Sequence, residues 1–193
     1  MQSDHAIPQA PLRIVLIGFM GAGKSTAGPI LAERLGWRFI DADHYLQNRK
    51  GATIADLFSN HGETAFRRME AEVFSELHGE RDLVLALGGG ALESEPTRLL
   101  LEQSSDTCMV FLNAPLGVLI DRCEKQPDAA IRPVLRRRDA LGQRFHSRLP
   151  HYQRAHITVD TEGLYPNEVV DRILHQLVES FPAMPWNLKA TAI

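Results

Sequence analysis

Residues 18–25 have the types and spacing of a phosphate-binding loop. They read Gly-Phe-Met-Gly-Ala-Gly-Lys-Ser, which fits the pattern G-x-x-x-x-G-K-[ST] between an apolar strand and a helical pattern. Glycines let backbone N–H groups curl around an anion, and the following helix adds the positive end of its dipole. The pattern predicts that Lys24 reaches the β- and γ-phosphates of a nucleotide and that the Ser25 hydroxyl binds Mg²⁺. The alternative is a glycine-rich turn without a ligand, which the complete motif in this context disfavours.

Two carboxylates, Asp41 and Asp43, follow a short predicted strand at residues 38–40. One of them could hold Mg²⁺ or its water, because hard cations prefer oxygen ligands. The other could accept a hydrogen bond from a substrate hydroxyl and take its proton. An aspartate at this point could also simply cap the next helix. The neighbouring phosphate-binding loop favours the chemical roles.

A triple glycine and three arginines complete the set of candidates. Gly88, Gly89 and Gly90 follow a continuous apolar strand, where they could offer backbone N–H groups to a ligand or make an ordinary turn. Arginine side chains bind carboxylate or phosphate groups with two parallel hydrogen bonds, although an isolated arginine is usually a surface residue. The three candidate arginines are Arg67, Arg132 and Arg148.

Strands alternate with helices along the chain, which predicts an α/β fold. Five strands are expected at residues 12–17, 38–40, 83–87, 109–112 and 157–160. Helices are expected at residues 24–35, 43–49, 53–58, 63–77, 96–102, 115–124, 137–149 and 166–181, the seventh of them stopped by Pro150. This alternation implies a three-layer arrangement in which helices cover both faces of a parallel sheet of about five strands. Ligands of such sheets bind beyond the carboxyl ends of the strands, so the candidate residues can share one crevice.

Composition limits the possible partners and location. The chain has 193 residues, of which 23% are charged and 44% hydrophobic, with a net charge of −3. We therefore expect no nucleic-acid binding, although the cluster at residues 136–138 could begin a helix or contact phosphate. Two cysteines are too few for a disulfide framework. No signal peptide and no apolar run of about 18 residues is present, so we expect no membrane contact and a cytoplasmic location.

The domain organisation follows from the same pattern. Residues 1–11 are expected to be a flexible leader, residues 12–181 a single domain and residues 182–193 a tail. The segment at 125–136 has weak periodicity and two prolines, which is typical of a mobile lid.

Six motifs in order make the chain resemble the shikimate kinases over residues 12–180. They are Gly18–Ser25, Asp41-x-Asp43, Glu63-x-x-Phe66-Arg67-x-x-Glu70, Leu87-Gly88-Gly89-Gly90-Ala91, Arg132-Pro133-Val134-Leu135 and Arg148-x-Pro150-x-Tyr152. Phosphate-binding loops are shared by many families, whereas this ordered set is specific. The resemblance implies a P-loop kinase with the nucleoside-monophosphate-kinase-like fold, which uses ATP and Mg²⁺ to phosphorylate the 3-hydroxyl of shikimate.

The resemblance also implies a role for each site residue. Asp43 would bind the substrate hydroxyls, and Asp41 would lie near the Mg²⁺ shell with Ser25. Arg67 and Arg148 would hold the shikimate carboxylate, with Gly89 at the ring. Arg132 would close over the phosphates, and Arg122 would flank the adenine. The residues that would bind the nucleotide are Gly21, Ala22, Gly23, Lys24, Ser25, Thr26, Arg122 and Arg132. Those that would bind the substrate are Asp43, Arg67, Gly88, Gly89, Gly90 and Arg148. Phe58, Phe66 and Glu70 would support the substrate pocket.

Two departures from the family pattern and two rival functions stay open at this point. Pro29 lies inside the first helix, where a kink is expected that would disturb Mg²⁺ binding by Ser25. The segment at residues 125–131 is longer than the usual lid, which leaves the lid alignment uncertain. Another small-metabolite kinase, such as a gluconate kinase, and a non-catalytic nucleotide-binding regulator are the alternatives. We expect a monomer.

Overall fold

A computed structural model describes residues 11–125, 138–182, 184 and 186. Its five strands are β1 (Arg13–Ile17), β2 (Arg38–Asp41), β3 (Leu83–Ala86), β4 (Thr107–Asn113) and β5 (Ile157–Asp160). Its helices are α1 (Lys24–Leu35), α2 (Ala42–Lys50), α3 (Ile54–Leu77), α4 (Glu95–Gln103), α5 (Leu116–Glu124), α6 (Arg138–Tyr152) and α7 (Pro166–Ser180). A short 3-10 helix at Ala91–Glu93 follows β3.

The five strands form one parallel sheet in the order β2-β3-β1-β4-β5. Strand β1 lies at the centre and is buried along its whole length, as an apolar strand covered on both faces requires. Helices α1 and α7 pack against each other, while α3 contacts both α2 and α4. The predicted parallel α/β sheet is confirmed. The chain therefore leaves β1, β2 and β3 at the same edge of the sheet, where the candidate residues begin.

Local signals explain why most helices begin and end as the sequence predicts. Gly36 and Gly51 end α1 and α2 with positive φ angles of 71° and 63°, which glycine adopts without strain. Thr53 caps α3 together with Asp56, each side chain accepting a hydrogen bond from the other residue's backbone N–H.

Helix α6 corrects the prediction that Pro150 ends a helix. It continues to Tyr152, and the backbone N–H of Gln153 still donates to Leu149 O at 3.0 Å. The Tyr152 ring is buried and stacks on Phe111, with ring centroids 5.2 Å apart. A proline removes one helical hydrogen bond, and we attribute the extra turn to this aromatic packing. The predicted first residue of the helix, Arg137, lies outside the described residues.

Two other predictions about helices concern α3 and α1. The two helices expected at residues 53–58 and 63–77 are both present, because α3 consists of two helical parts that meet at a kink at Gly62, whose φ of 75° and ψ of 171° are not helical. Helix α1 has the predicted bounds and continues through Pro29 to Leu35. The hydrogen bond that proline cannot donate would have reached the carbonyl of Ser25 in the first turn, and the helix tolerates its loss.

The C-terminal segment folds back onto the end of the sheet opposite the candidate residues. Trp186 lies beside Trp37, which precedes β2, with ring centroids 6.3 Å apart. It also contacts Phe181 at 6.3 Å and donates its indole N–H to the Phe181 carbonyl. Part of the predicted tail is therefore packed against the domain. Residues 1–10, 126–137 and most of the tail lie outside the described residues, and within the described part no helix is long and apolar enough to cross a membrane.

Candidate active site

The loop between β1 and α1 has the backbone shape that its glycines allow. Gly18, Gly21 and Gly23 have positive φ angles of 143°, 75° and 95°. A Cβ on Gly18 would lie 2.6 Å from the Leu112 carbonyl oxygen, and one on Gly21 would lie 2.4 Å from the Leu119 carbonyl oxygen. Positions 18 and 21 therefore require glycine both because their φ angles are positive and because there is no room for a Cβ atom. The loop leads directly into the N-terminus of α1, as an anion-binding loop should.

Lys24 folds back over this loop. Its ammonium group donates to the carbonyl oxygens of Gly18 at 2.8 Å and Phe19 at 3.2 Å. Burial lowers the pKa of Lys24 to about 8, although the nearby carboxylates of Asp43 and Asp41 oppose that shift. The side chain is thus held at the mouth of the loop, from which a phosphate group could draw it away.

Ser25, Asp41 and Asp43 meet where β2 ends. The Ser25 hydroxyl donates to Asp41 Oδ2 at 2.5 Å, and Asp41 Oδ1 accepts the backbone N–H groups of Asp43 at 3.0 Å and His44 at 3.2 Å. Asp41 therefore caps α2, as one interpretation predicted, and it also contacts the serine of the phosphate-binding loop. Burial, with a contribution from Asp41, raises the pKa of the Asp43 carboxyl. Within the described part of the chain, no cluster of three His, Cys, Asp or Glu side chains could hold a metal by itself.

The glycine run after β3 lies directly against the other candidate side chains. A Cβ on Gly88 would lie 2.5 Å from Glu70 Oε1 and 2.8 Å from Asp43 Oδ1, and one on Gly90 would lie 2.3 Å from the Arg67 guanidinium. The Tyr152 hydroxyl donates to the Gly89 carbonyl. The run is therefore more than an ordinary turn, because its backbone occupies space that side chains would need.

Arg67 and Arg148 come from distant helices, α3 and α6, and converge on one carboxylate. Arg148 donates through Nε and Nη2 to the two oxygens of Glu93, each at 3.0 Å. Arg67 Nη2 lies 2.8 Å from Glu93 Oε2. Arg148 is buried and also lies over the ring of Phe19 in the phosphate-binding loop, 5.6 Å from its centroid. The two arginines and the loop thus belong to one site.

Acidic partners surround Arg67. Its Nη1 donates to Glu70 at 2.6 Å and its Nη2 to Glu63 at 3.2 Å, while its guanidinium lies 5.5 Å from the centroid of the Phe66 ring. Burial raises the pKa of Glu70 to about 7 despite the opposing charge of Arg67. Phe58 contacts Phe66, with ring centroids 5.2 Å apart. The residues expected to support the pocket are thereby brought together.

The two remaining candidate arginines are Arg122 and Arg132. Arg122 on α5 donates to the hydroxyl of Thr161 at 2.9 Å and to its carbonyl at 2.5 Å, which ties α5 to the loop after β5. Arg132 lies outside the described residues. Sequence reasoning missed Glu93, because a glutamate three residues after a glycine run has no distinctive spacing and its partners are remote in the chain.

Comparison with known proteins agrees with this geometry. The family model "Shikimate kinase" matches residues 20–178. The chain belongs to the shikimate kinase family. It is therefore an ATP-dependent kinase with an alcohol acceptor.

Individual members of the family cover most of this chain. A shikimate kinase from Thermus thermophilus is 39% identical over 175 residues, which is 89% of this chain and 92% of its own. The structure of shikimate kinase from Acinetobacter baumannii in complex with shikimate is 34% identical, with a TM-score of 0.77 over 91% of this chain and 95% of that one. A gluconokinase from Sinorhizobium meliloti, with 18% identity and a TM-score of 0.56 over 92% of this chain and 96% of its own, shares the fold alone. Family membership therefore favours the shikimate kinases over the gluconate kinases.

Proposed function

We propose that this chain transfers the γ-phosphoryl group of ATP to the 3-hydroxyl of shikimate, with the site residues in the roles that follow. One observation carries the proposal for the acceptor. Two arginines from helices distant in sequence meet around a carboxylate, within the crevice that holds the phosphate-binding loop and Asp43. Paired guanidinium groups suit an acceptor that has a carboxylate of its own.

The nucleotide side of the site positions and neutralises phosphate. The backbone of residues 21–26 and the dipole of α1 would bind the β- and γ-phosphates, and Lys24 would leave the loop carbonyls to contact them. The ammonium group stabilises the negative charge that spreads over the transferring group. Arg132 from the lid segment is proposed to close over the phosphates, and Arg122 to flank the adenine.

The donor set of Ser25 and Asp41 fits Mg²⁺. Both side chains offer oxygen atoms, which this ion prefers, and they already lie 2.5 Å apart. Mg²⁺ binds few protein groups and completes its shell with phosphate oxygens and water, so a pair of side chains is sufficient. When bound with ATP, the ion would neutralise charge on the β- and γ-phosphates.

Asp43 is proposed to orient the acceptor hydroxyl and to accept its proton. Its raised pKa makes it a better base than an exposed aspartate, and it lies close to Lys24, whose charge opposes that rise. Gly88 and Gly89 would let the acceptor ring approach the backbone. Water would be excluded by closure of the lid, since water could otherwise take the phosphoryl group.

The acceptor assignment is tested by removing charge from the enzyme and from the ligand. Arg148→Ala should raise the KM for shikimate and leave the KM for ATP unchanged. The loss should be about 2–5 kcal/mol if the charge pair is shielded from water. Shikimate methyl ester should be a poor substrate of the wild type, whereas Arg148→Ala should discriminate far less between acid and ester. Arg172→Ala, on the exposed side of α7, is the matched control.

Equal discrimination between acid and ester in wild type and Arg148→Ala would overturn the acceptor assignment. A non-catalytic nucleotide-binding regulator is the function from another class, and it would not need Asp43 and the two arginines in one crevice. ATP turnover that depends on added shikimate would exclude it. A cytoplasmic location, a monomeric state and the single-domain organisation of residues 12–181 stay predictions.

A further inference from the structure

An internal carboxylate lies between the two arginines that we assign to the acceptor. Glu93 ends the short helix after the glycine run, and its two oxygens accept the Nε and Nη2 groups of Arg148 at 3.0 Å. The same carboxylate contacts Arg67 at 2.8 Å. These hydrogen bonds lower the pKa of Glu93 against the opposing effect of its burial, so the group is ionised at neutral pH. Glu93 thus makes the contacts that an acceptor carboxylate would make.

The arginine surfaces that remain for an acceptor are limited. The Nε–Nη2 edge of Arg148, which gives the best geometry for a carboxylate, is used by Glu93. The Nη1 atom of Arg148 faces Gly89, since a Cβ on that glycine would lie only 3.8 Å from it. Arg67 uses Nη1 for Glu70 and Nη2 for Glu63 and Glu93. Arg67 Nε has no hydrogen-bond partner among the described residues, but it is buried away from solvent. An acceptor carboxylate that binds the Nε–Nη2 edge of Arg148 must therefore displace Glu93 or share these donors with it.

Glu93 is more exposed to solvent than Glu70, the other glutamate that pairs closely with Arg67. Glu70 is buried, with only 6% of its side chain exposed, whereas 31% of the Glu93 side chain is exposed. Glu93 can therefore turn towards solvent and be hydrated when it gives up its contacts. Glu70 has no such alternative, so it stays with Arg67 while Glu93 is the exchangeable ligand.

We propose that Glu93 is a specificity-determining residue of the kinase, an internal carboxylate that competes with the carboxylate of the acceptor for Arg148 and Arg67. The proposal rests on the acceptor assignment given above. Glu93 weakens binding of an acid, because two carboxylates compete for the same donors. It also helps an uncharged acceptor, since the buried Nε–Nη2 edge of Arg148 would otherwise lose its carboxylate partner. Glu93 therefore reduces the preference of the site for acids over neutral analogues.

The test compares shikimate with its methyl ester in variants of Glu93. In Glu93→Gln, the KM for shikimate should fall and the ratio of the ester KM to the acid KM should rise about 10-fold, the effect of a single charge contact that is partly shielded from water. Glu93→Asp withdraws the carboxylate by one methylene, so its ratio should lie between those of the wild type and Glu93→Gln. Glu95→Gln, which makes the same change on the exposed first turn of α4, should leave the ratio unaltered.

A purely structural role for Glu93 makes the opposite prediction. If Glu93 only holds the arginines in place, Glu93→Gln should raise the KM for shikimate and lower the ratio, which would overturn the proposal. An unchanged ratio in both Glu93 variants would overturn it as well. The KM for ATP and the thermal midpoint report whether each variant is folded. If Glu93→Gln does not fold, the ratio measured in Glu93→Asp tests the proposal by itself. If Arg148→Ala leaves the ratio of the ester KM to the acid KM unchanged, the acceptor assignment itself is wrong. If that ratio falls in Arg148→Ala but does not rise in Glu93→Gln, only the Glu93 proposal is rejected.

Discussion

Replacing Gly88 by alanine should damage the acceptor side of the site and spare nucleotide binding. The added Cβ would lie 2.5 Å from Glu70 Oε1 and 2.8 Å from Asp43 Oδ1. Neither carboxylate can move freely, because Glu70 is held by Arg67 and Asp43 is half-buried beside Asp41. The phosphate-binding loop contributes neither of these contacts. The substitution therefore acts on the residue proposed to orient the hydroxyl and on its neighbour.

The size of the effect follows from the overlap. An ordinary contact begins near 3.4 Å, so the Glu70 oxygen must retreat by about 0.9 Å and the Asp43 oxygen by about 0.6 Å. A displacement of this order at a reacting group costs roughly 100-fold in rate, because the geometry for attack is lost. Overpacking of a filled site also costs about 1–3 kcal/mol of stability. We expect kcat/KM for shikimate to fall roughly 100-fold.

A coupled assay of ADP release, with shikimate and ATP varied in turn, separates the two sides of the site. Gly117→Ala on α5 is the matched control, since its Cβ would meet no described atom within 4 Å. That control should keep its activity and gain up to about 1 kcal/mol of stability, as alanine favours a helix over glycine. Full shikimate kinetics in Gly88→Ala, or a loss confined to the KM for ATP, would refute the reasoning.

Three further predictions concern charged groups at the site. Lys24→Met should lower kcat by about 100-fold or more, because a preorganised contact to the transferring group contributes ~3 kcal/mol, and a wild-type kcat would reject the mechanism. Asp43→Asn should lower kcat and leave ATP binding nearly intact, while Asp41→Asn should raise the Mg²⁺ requirement; a Mg²⁺ titration with the reverse pattern would exchange their roles. The pKa of Glu70 is raised from 4.5 to about 7, so the folded state binds the extra proton between those values. The wild type should therefore lose stability relative to Glu70→Gln as the pH rises through this range, and parallel pH profiles of urea unfolding would contradict that sign.

Hydrophobic pattern and turn chemistry were sufficient to predict the sheet. The run from Arg13 to Ile17 is apolar after its first residue because β1 is covered on both faces, and the glycines at positions 36 and 51 mark helix ends through their positive φ angles. The crevice was also predictable, because the carboxyl ends of parallel strands meet at one edge. These features depend on short stretches of chain or on a general rule of the fold.

Features that depend on contacts between distant elements were not predictable. Pro150 indicated the end of a helix, but α6 continues because Tyr152 packs on Phe111 of β4. Glu93 gave no signal at all, since its importance comes from arginines 26 and 55 residues away that only the folded chain brings together. The resemblance to a family supplied the proposed roles of Arg67 and Arg148, whereas the carboxylate between them became visible only in the folded structure.

The position of the tryptophans decides what fluorescence can report in this protein. The chain has two, and Trp37 and Trp186 lie together at the end of the sheet opposite the active site. Changes in their emission should therefore follow the detachment of the C-terminal segment, and ligand binding should leave them almost unaffected. Phe58→Trp would create a local probe of the acceptor side, because Phe58 contacts Phe66, which in turn lies beside Arg67. In a variant that lacks both native tryptophans, acceptor binding could then be measured by fluorescence in the absence of turnover.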